Sequence, residues 1–249
     1  AKTADEMQTA DSKIKLVTDS TEQYLAVRER VRQIADQNYS DISATTQLYQ
    51  RSALALSNLG KSQNDVLKFT NAVSLAMRTG GSAANEQRAA LLQLSQAMGA
   101  GKLMGDEFRS ISENAPTLLK LISKEMGVTV GELKKLGSEG KITSEIMYNA
   151  LTKNIELLET QAAKMPVTMT QAFNVAKNKY KEYVGDMMNS TGGVSGAIAS
   201  SIIGIAKNFD TIVKGMTIAG GLAFVAFASK IGIATKSMAL FNLVANANP

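Results

Sequence analysis

The chain has 249 residues, 27 basic against 22 acidic side chains for a formal net charge of +5, and no Cys, His or Trp. Those absences exclude a Ser/His/Asp triad, a Cys/His nucleophile pair, a zinc finger, a His-ligated haem, a CxxC redox pair and any disulfide. The length fits one large domain or two ordinary ones, and the charge is uneven: residues 1–163 carry 19 basic and 19 acidic groups, while residues 164–249 carry eight Lys against Glu182, Asp186 and Asp210.

Apolar residues recur at spacings of three and four, and only Pro116, Pro166 and Pro249 remove a backbone donor. The whole chain therefore reads as all-α: an elongated multi-helix domain followed by Gly/Ala-rich apolar helices. Residues 1–10 are a polar N-terminal segment with no apolar leader. One long helix is predicted over residues 11–38, with Tyr24, Val27, Val31 and Ile34 on one stripe. A second follows Ser40 or Asp41, carries Ile42, Tyr49, Ala53, Leu56 and Leu59 inward, and stops at Gly60. Ser62 or Asn64 opens a third, faced by Val66, Phe69, Val73 and Met77 and ended by Gly80 and Gly81.

Shorter pieces make up the middle. Ser82 is the expected cap of a helix bearing Leu91, Leu94 and Met98, which ends in Gly99, Ala100 and Gly101. Asp106 is the expected cap of the next, with Phe108 and Ile111 inward, until Ala115 and Pro116 break it, because proline disfavours helical geometry in the residue before it. Leu118, Leu119, Ile122 and Met126 continue the core as far as Gly127, and Thr129 with Glu132 forms a capping box for a short helix. After the turn at Gly137 and Gly140, Thr143 caps a longer helix with Ile146, Ala150, Leu151, Ile155 and Leu158 inward, and Ile142 and Met147 stand at staple spacing. The domain so described spans residues 11–165.

Residues 166–191 read as an amphipathic, lysine-rich helix, with Phe173, Ala176, Tyr180, Val184 and Met187 on one side and lysines on the other. Residues 192–249 are rich in Gly, Ala, Ser and Ile, and residues 215–229 hold no charge between Lys214 and Lys230. That run is shorter than the roughly 20 apolar residues of a spanning helix. It reaches that length if the two lysines snorkel or if Ile231 to Ala234 is included, which makes Leu222, Phe224, Val225 and Phe227 a candidate membrane or helix-packing segment. Taken as a count the eight lysines read as a solvated face, but because they border apolar runs a membrane or DNA-passage role for residues 164–249 is the favoured expectation.

Motifs for chemistry fail on their spacing. Gly60, Lys61 and Ser62 end like a phosphate loop, but Ala55 stands where the first Gly is needed, and Gly101–Lys102 and Gly140–Lys141 lack the following Ser or Thr. Glu107 and Glu113 would be a carboxylate pair for glycoside hydrolysis, yet six residues apart they point to different faces of a helix. No calcium-loop spacing occurs. Gly192 and Gly196 form an isolated small-xxx-small pair, and Met98, Met126, Met147, Met165, Met187 and Met188 suit adaptable packing surfaces better than a cofactor box. Neither catalysis, nor a cofactor, nor a metal is expected.

Residues 60–158 carry a more specific pattern. The leucine-rich stretch from Ala89 leads into a G-x-L-x-G-D-E-F turn containing Gly101, Gly105, Asp106, Glu107 and Phe108, then into the break at Asn114, Ala115 and Pro116; GVTVGELKKLGSEGKIT follows at residues 127–143. In order and spacing these segments resemble the N-terminal domain of tail tape measure proteins of long-tailed bacteriophages and prophages, over about residues 13–178.

That resemblance implies a structural virion protein: it fills the tail tube lumen, sets tail length as a ruler, and leaves ahead of the DNA, with apolar segments helping form a passage through the host inner membrane. It implies as partners the tail tube protein, tail tip or baseplate proteins and tail assembly chaperones, self-association in which a trimer is the family's common expectation, and unspecific contact with phage DNA. The implied locations are the virion, the host cytoplasm during assembly and the host inner membrane during infection. A helix rises 1.5 Å per residue, so 249 helical residues would span only about 370 Å. With a first residue other than Met and an end at Asn248 and Pro249 inside apolar sequence, a fragment of a longer protein is expected. The alternative from a different class is a helical membrane-inserting protein, a pore-former or secreted effector, driven by residues 215–244.

Overall fold

The structure is a computed structural model and describes residues 2–81 and 83–189. These hold eleven helices: α1 (Lys2–Lys15), α2 (Thr21–Gln37), α3 (Ile42–Ser57), α4 (Gln63–Thr79), α5 (Ala84–Ala100), α6 (Gly105–Asn114), α7 (Pro116–Met126), α8 (Val130–Ser138), α9 (Ser144–Thr152), α10 (Ile155–Ala163) and α11 (Met169–Asn189). Among the described residues the only extended pairing is one antiparallel bridge, Lys102 with Thr143, so the all-α expectation holds.

Local hydrogen bonding explains most boundaries. The side chains of Ser20, Asp41, Ser62, Thr129 and Thr143 each accept a backbone N–H from the first turn of α2, α3, α4, α8 and α9. The boxes at Ser62 with Asp65 and at Thr129 with Glu132 close reciprocally. Gly101 and Gly127 end α5 and α7 at φ 79° and 67°, in the left-handed region glycine occupies without strain. Pro116 is the first residue of α7, where its missing N–H costs no bond.

Four expectations are corrected. The single helix over residues 11–38 is two, because Ser20 turns extended and caps α2; the apolar stripe continues across the break, with Ile14, Tyr24 and Val27 in the same core. The helix after Thr143 is also two, because the Asn154 amide donates to Ala150 O at 2.8 Å and competes with the helical ladder there. Asp106 is not the cap of α6: the cap position is Met104, Gly105 at φ 58° turns the chain into the helix, and Asp106 stands exposed in the first turn. The cap position of α5 is Ala83, whose N–H donates to Glu86 Oε2 at 2.8 Å; the expected cap, Ser82, lies outside the described residues.

The main core runs from Ile14 to Ala162. Its centre is α4, where Val66, Phe69, Ala72, Val73, Ala76 and Met77 are essentially inaccessible and which packs on α3, α9, α10, α2, α7 and α5. A separate small cluster joins Met7 of α1, Ala35 of α2 and Ile42 of α3. Residues Ala1–Asp186 form one compact unit and Met187–Pro249 a second. The boundary between them falls inside α11.

Candidate functional site

The G-x-L-x-G-D-E-F turn joins α5 to α6 and is a clasp. Leu103 N–H donates to Ile142 O at 2.8 Å and Ser144 N–H to Gly101 O at 3.0 Å, which ties the turn to the strand-like entrance of α9. Ser144 Oγ adds a bond to Met98 O at 3.4 Å. The Leu103 side chain is wholly buried in the main core. Lys102 lies along Gly140, where an added Cβ would stand 3.2 Å from Lys102 Cδ.

Five residues after Leu103, Phe108 is 8% exposed and its ring covers Gly137 of α8, where an added Cβ would meet the Phe108 ring carbon Cδ2 at 2.9 Å. Gly137 thus marks a close approach of α8 to α6. Ala115, fully buried at φ −143° and ψ 56°, serves as the last cap of α6 and the first of α7, and the Asn114 amide donates to Ser110 O at 3.0 Å. The motif is used for joining α5, α6, α7, α8 and α9.

Its carboxylates are not assembled for chemistry. Asp106 is exposed and pairs with Arg109 of its own helix at 3.4 Å, and Glu113 is exposed. The cleft of about 530 Å³ beside them is lined by Asp106, Phe108, Arg109, Glu113, Lys134 and Ser138 among others and opens to solvent. The loop-like Gly60, Lys61 and Ser62 is a helix stop followed by a capping box, with Lys61 Nζ 4.7 Å from the centre of the Tyr148 ring. Among the described residues no group of three or more acidic side chains could hold a metal ion.

A polar assembly among the described residues was not legible in the sequence. It fixes α11 to the corner between α2 and α3, where Tyr39 takes φ 57°. Asn178 is 1% exposed: its Oδ1 accepts the Ile42 N–H at 3.1 Å and its Nδ2 donates to Ser40 O at 2.7 Å, so it acts as a cap supplied from a distant helix. Asn174 Nδ2 donates to Tyr39 O at 3.0 Å. Lys181, 4% exposed, reaches Asp41 at 3.1 Å, Ser43 at 3.2 Å and Glu6 at 3.2 Å. Asp186 pairs with Arg28 and, at 2.8 Å, with Arg32, while Arg28 also holds Asp11 at 2.9 Å.

Burial alone would raise the Asp41 carboxyl, but Lys181, the Ala44 N–H and Arg88 outweigh it and hold it below its ordinary range. Burial likewise opposes ionisation of Asp186, and Arg32 with Arg28 overcomes it. Glu182 goes the other way, pushed up by burial and by the facing Asp36 in spite of Lys179 and Arg32. The lysines of this helix are therefore not all on a solvated face: Lys181 is buried, and Lys179 pairs with Asp36 and Glu182. Asparagines such as Asn174 and Asn178 in a lysine-rich helix carry no sequence signal that could have revealed this.

A family model described as "Tape measure protein" matches residues 1–189. The chain belongs to the tape measure protein family. Searches of curated proteins and of solved structures give no match. Membership in the tape measure family makes the chain a structural component of a phage tail, located in the virion and in contact with other tail components. Among the described residues no helix is long and apolar enough to cross a membrane. The candidate segment with Lys214, Leu222, Phe224, Val225, Phe227 and Lys230 lies outside the described residues, as does the Gly192 and Gly196 pair.

Proposed function

We propose that this tape measure chain acts without catalysis in tail assembly, tail-length determination and genome delivery. The helical part through residue 189 is the assembly domain, docking through its outer helix faces to the tail tube, tail tip and assembly chaperones, and to further copies of itself. The Gly/Ala-rich residues 192–249 are the segment that lines the tail lumen and then meets the host inner membrane. The family match over residues 1–189 carries this reading. It is supported by the use of the family-like turn for packing rather than for a site, with Leu103 and Phe108 turned into the core.

The test is a ladder of in-frame deletions in the gene encoding this chain, with tail length measured by electron microscopy. Tails shortened in proportion to the deletion support the ruler role, and tails of unchanged length defeat it. Leakage of anionic vesicles caused by the chain, and lost on removal of residues 212–249, tests the membrane role separately.

A further inference from the structure

We infer that α11 is a detachable strap, which opens from the corner of α1, α2 and α3 as a unit while the rest of the helical domain stays folded. Four observations support this. Among the described residues the main core contains no member from α11: its last residue is Ala162. Of the described α11 side chains that are buried, all but Val184 are polar or charged: Gln171, Asn178, Lys181 and Glu182. Beneath them lies the three-residue cluster of Met7, Ala35 and Ile42 rather than the α4-centred core. Residues 164–168 between α10 and α11 hold exposed Lys164, Pro166, Val167 and Thr168, a short hinge in which no core side chain is anchored.

An interface of this kind opens locally at low cost. Polar and ionic partners parted in water are rehydrated on both sides, whereas an apolar core has no such compensation. Opening would bring Ser40, Asp41 and the Ile42 N–H to water and would free Glu6 and Asp36 from Lys181 and Lys179, and Arg28 and Arg32 from Asp186. The same corner holds Tyr39, the only described non-glycine residue with positive φ, whose carbonyl accepts from Asn174 of α11. One close apolar contact sets the strap's seating: a Cβ added at Gly185 would stand 2.9 Å from Met7 Cβ.

Hydrogen exchange of the full chain in low denaturant tests the strap. The α11 amides should exchange at least about tenfold faster than those of α4 and α7, with a smaller denaturant dependence. Gly185→Ala should speed α11 exchange by a further factor of about ten, since the Met7 Cβ cannot rotate away, and leave α4 and α7 unchanged. Lys181→Met should do the same by leaving Asp41 and Glu6 without their ammonium. If α11 and α4 exchange with equal protection and equal denaturant slope, or if Gly185→Ala speeds both alike, α11 belongs to the cooperative core and the inference is overturned. This outcome is independent of tail-length control.

Discussion

The contact of Phe108 with Gly137 can be inverted by one methyl group. Gly137 stands in the last turn of α8, and Gly→Ala in an open helix position is stabilising by up to about 1 kcal/mol. Here the new Cβ would meet three Phe108 ring atoms at 2.9, 3.3 and 3.3 Å. The ring is buried between α6 and α8 and is not the free end of a flexible chain, so the overpacking cost of about 1–3 kcal/mol applies. Gly137→Ala should therefore destabilise by up to about 2 kcal/mol. Gly131, in the same helix, is the internal control: an added Cβ meets only Thr129 Oγ1 at 3.8 Å, and Gly131→Ala should be neutral or stabilising by about 0.5 kcal/mol. Urea unfolding followed by circular dichroism at 222 nm measures both. In a Phe108→Ala background the sign at Gly137 should reverse, a coupling of about 1–3 kcal/mol. If Gly137→Ala stabilises the parent chain as Gly131→Ala does, α8 does not approach α6 over that ring and the clasp is wrong.

Other expectations rest on single groups. Leu103→Ala should cost about 2–5 kcal/mol by the same urea assay, because the motif leucine is fully buried; a cost under 1 kcal/mol would move the turn to the surface. Tyr49 Oη is buried without a protein partner and burial pushes its phenol from 10 up to about 12. A raised acid contributes stability that is complete below the ordinary value and lost as pH rises through the folded one, so stability should fall between pH 10 and 12. Tyr49→Phe should blunt that fall and raise stability by about 1 kcal/mol at neutral pH; a net loss would mean the hydroxyl is hydrogen-bonded in solution. For Asp41, held below its ordinary 3.8, the sign is opposite: its contribution is present above that value and disappears as pH drops through the folded one. Asp41→Asn should flatten the acid limb of a stability-versus-pH curve while lowering the neutral plateau, and an unaltered acid limb would show that the Lys181 pair contributes nothing.

Lys181, common to the Asp41 pair and the strap, is a residue whose burial no local pattern encodes. Its neighbours Lys177 and Lys179 made it look like one of several solvated charges. Its burial depends on Asp41, Ser43 and Glu6, which stand 140, 138 and 175 positions away in the chain. The asymmetry of charge was real as a count, yet among the described residues it marked no uniform basic face, because Lys179, Lys181 and Asp186 are paired with groups of α1, α2 and α3.

What the sequence determined alone are properties decided within a few residues. The helical period, the caps at Asp41, Ser62, Thr129 and Thr143, the stops at Gly101 and Gly127 and the break before Pro116 follow from bonds that each segment makes with itself. The order of those segments was enough to indicate the tape measure family. Only tertiary structure decided that the turn holding Leu103 clasps α9, that Gly137 yields its space to Phe108, and that Asn178 caps a helix begun at Ile42. Such contacts join residues tens to more than a hundred positions apart, and their pairing is selected by how helices share one core, which no local spacing records.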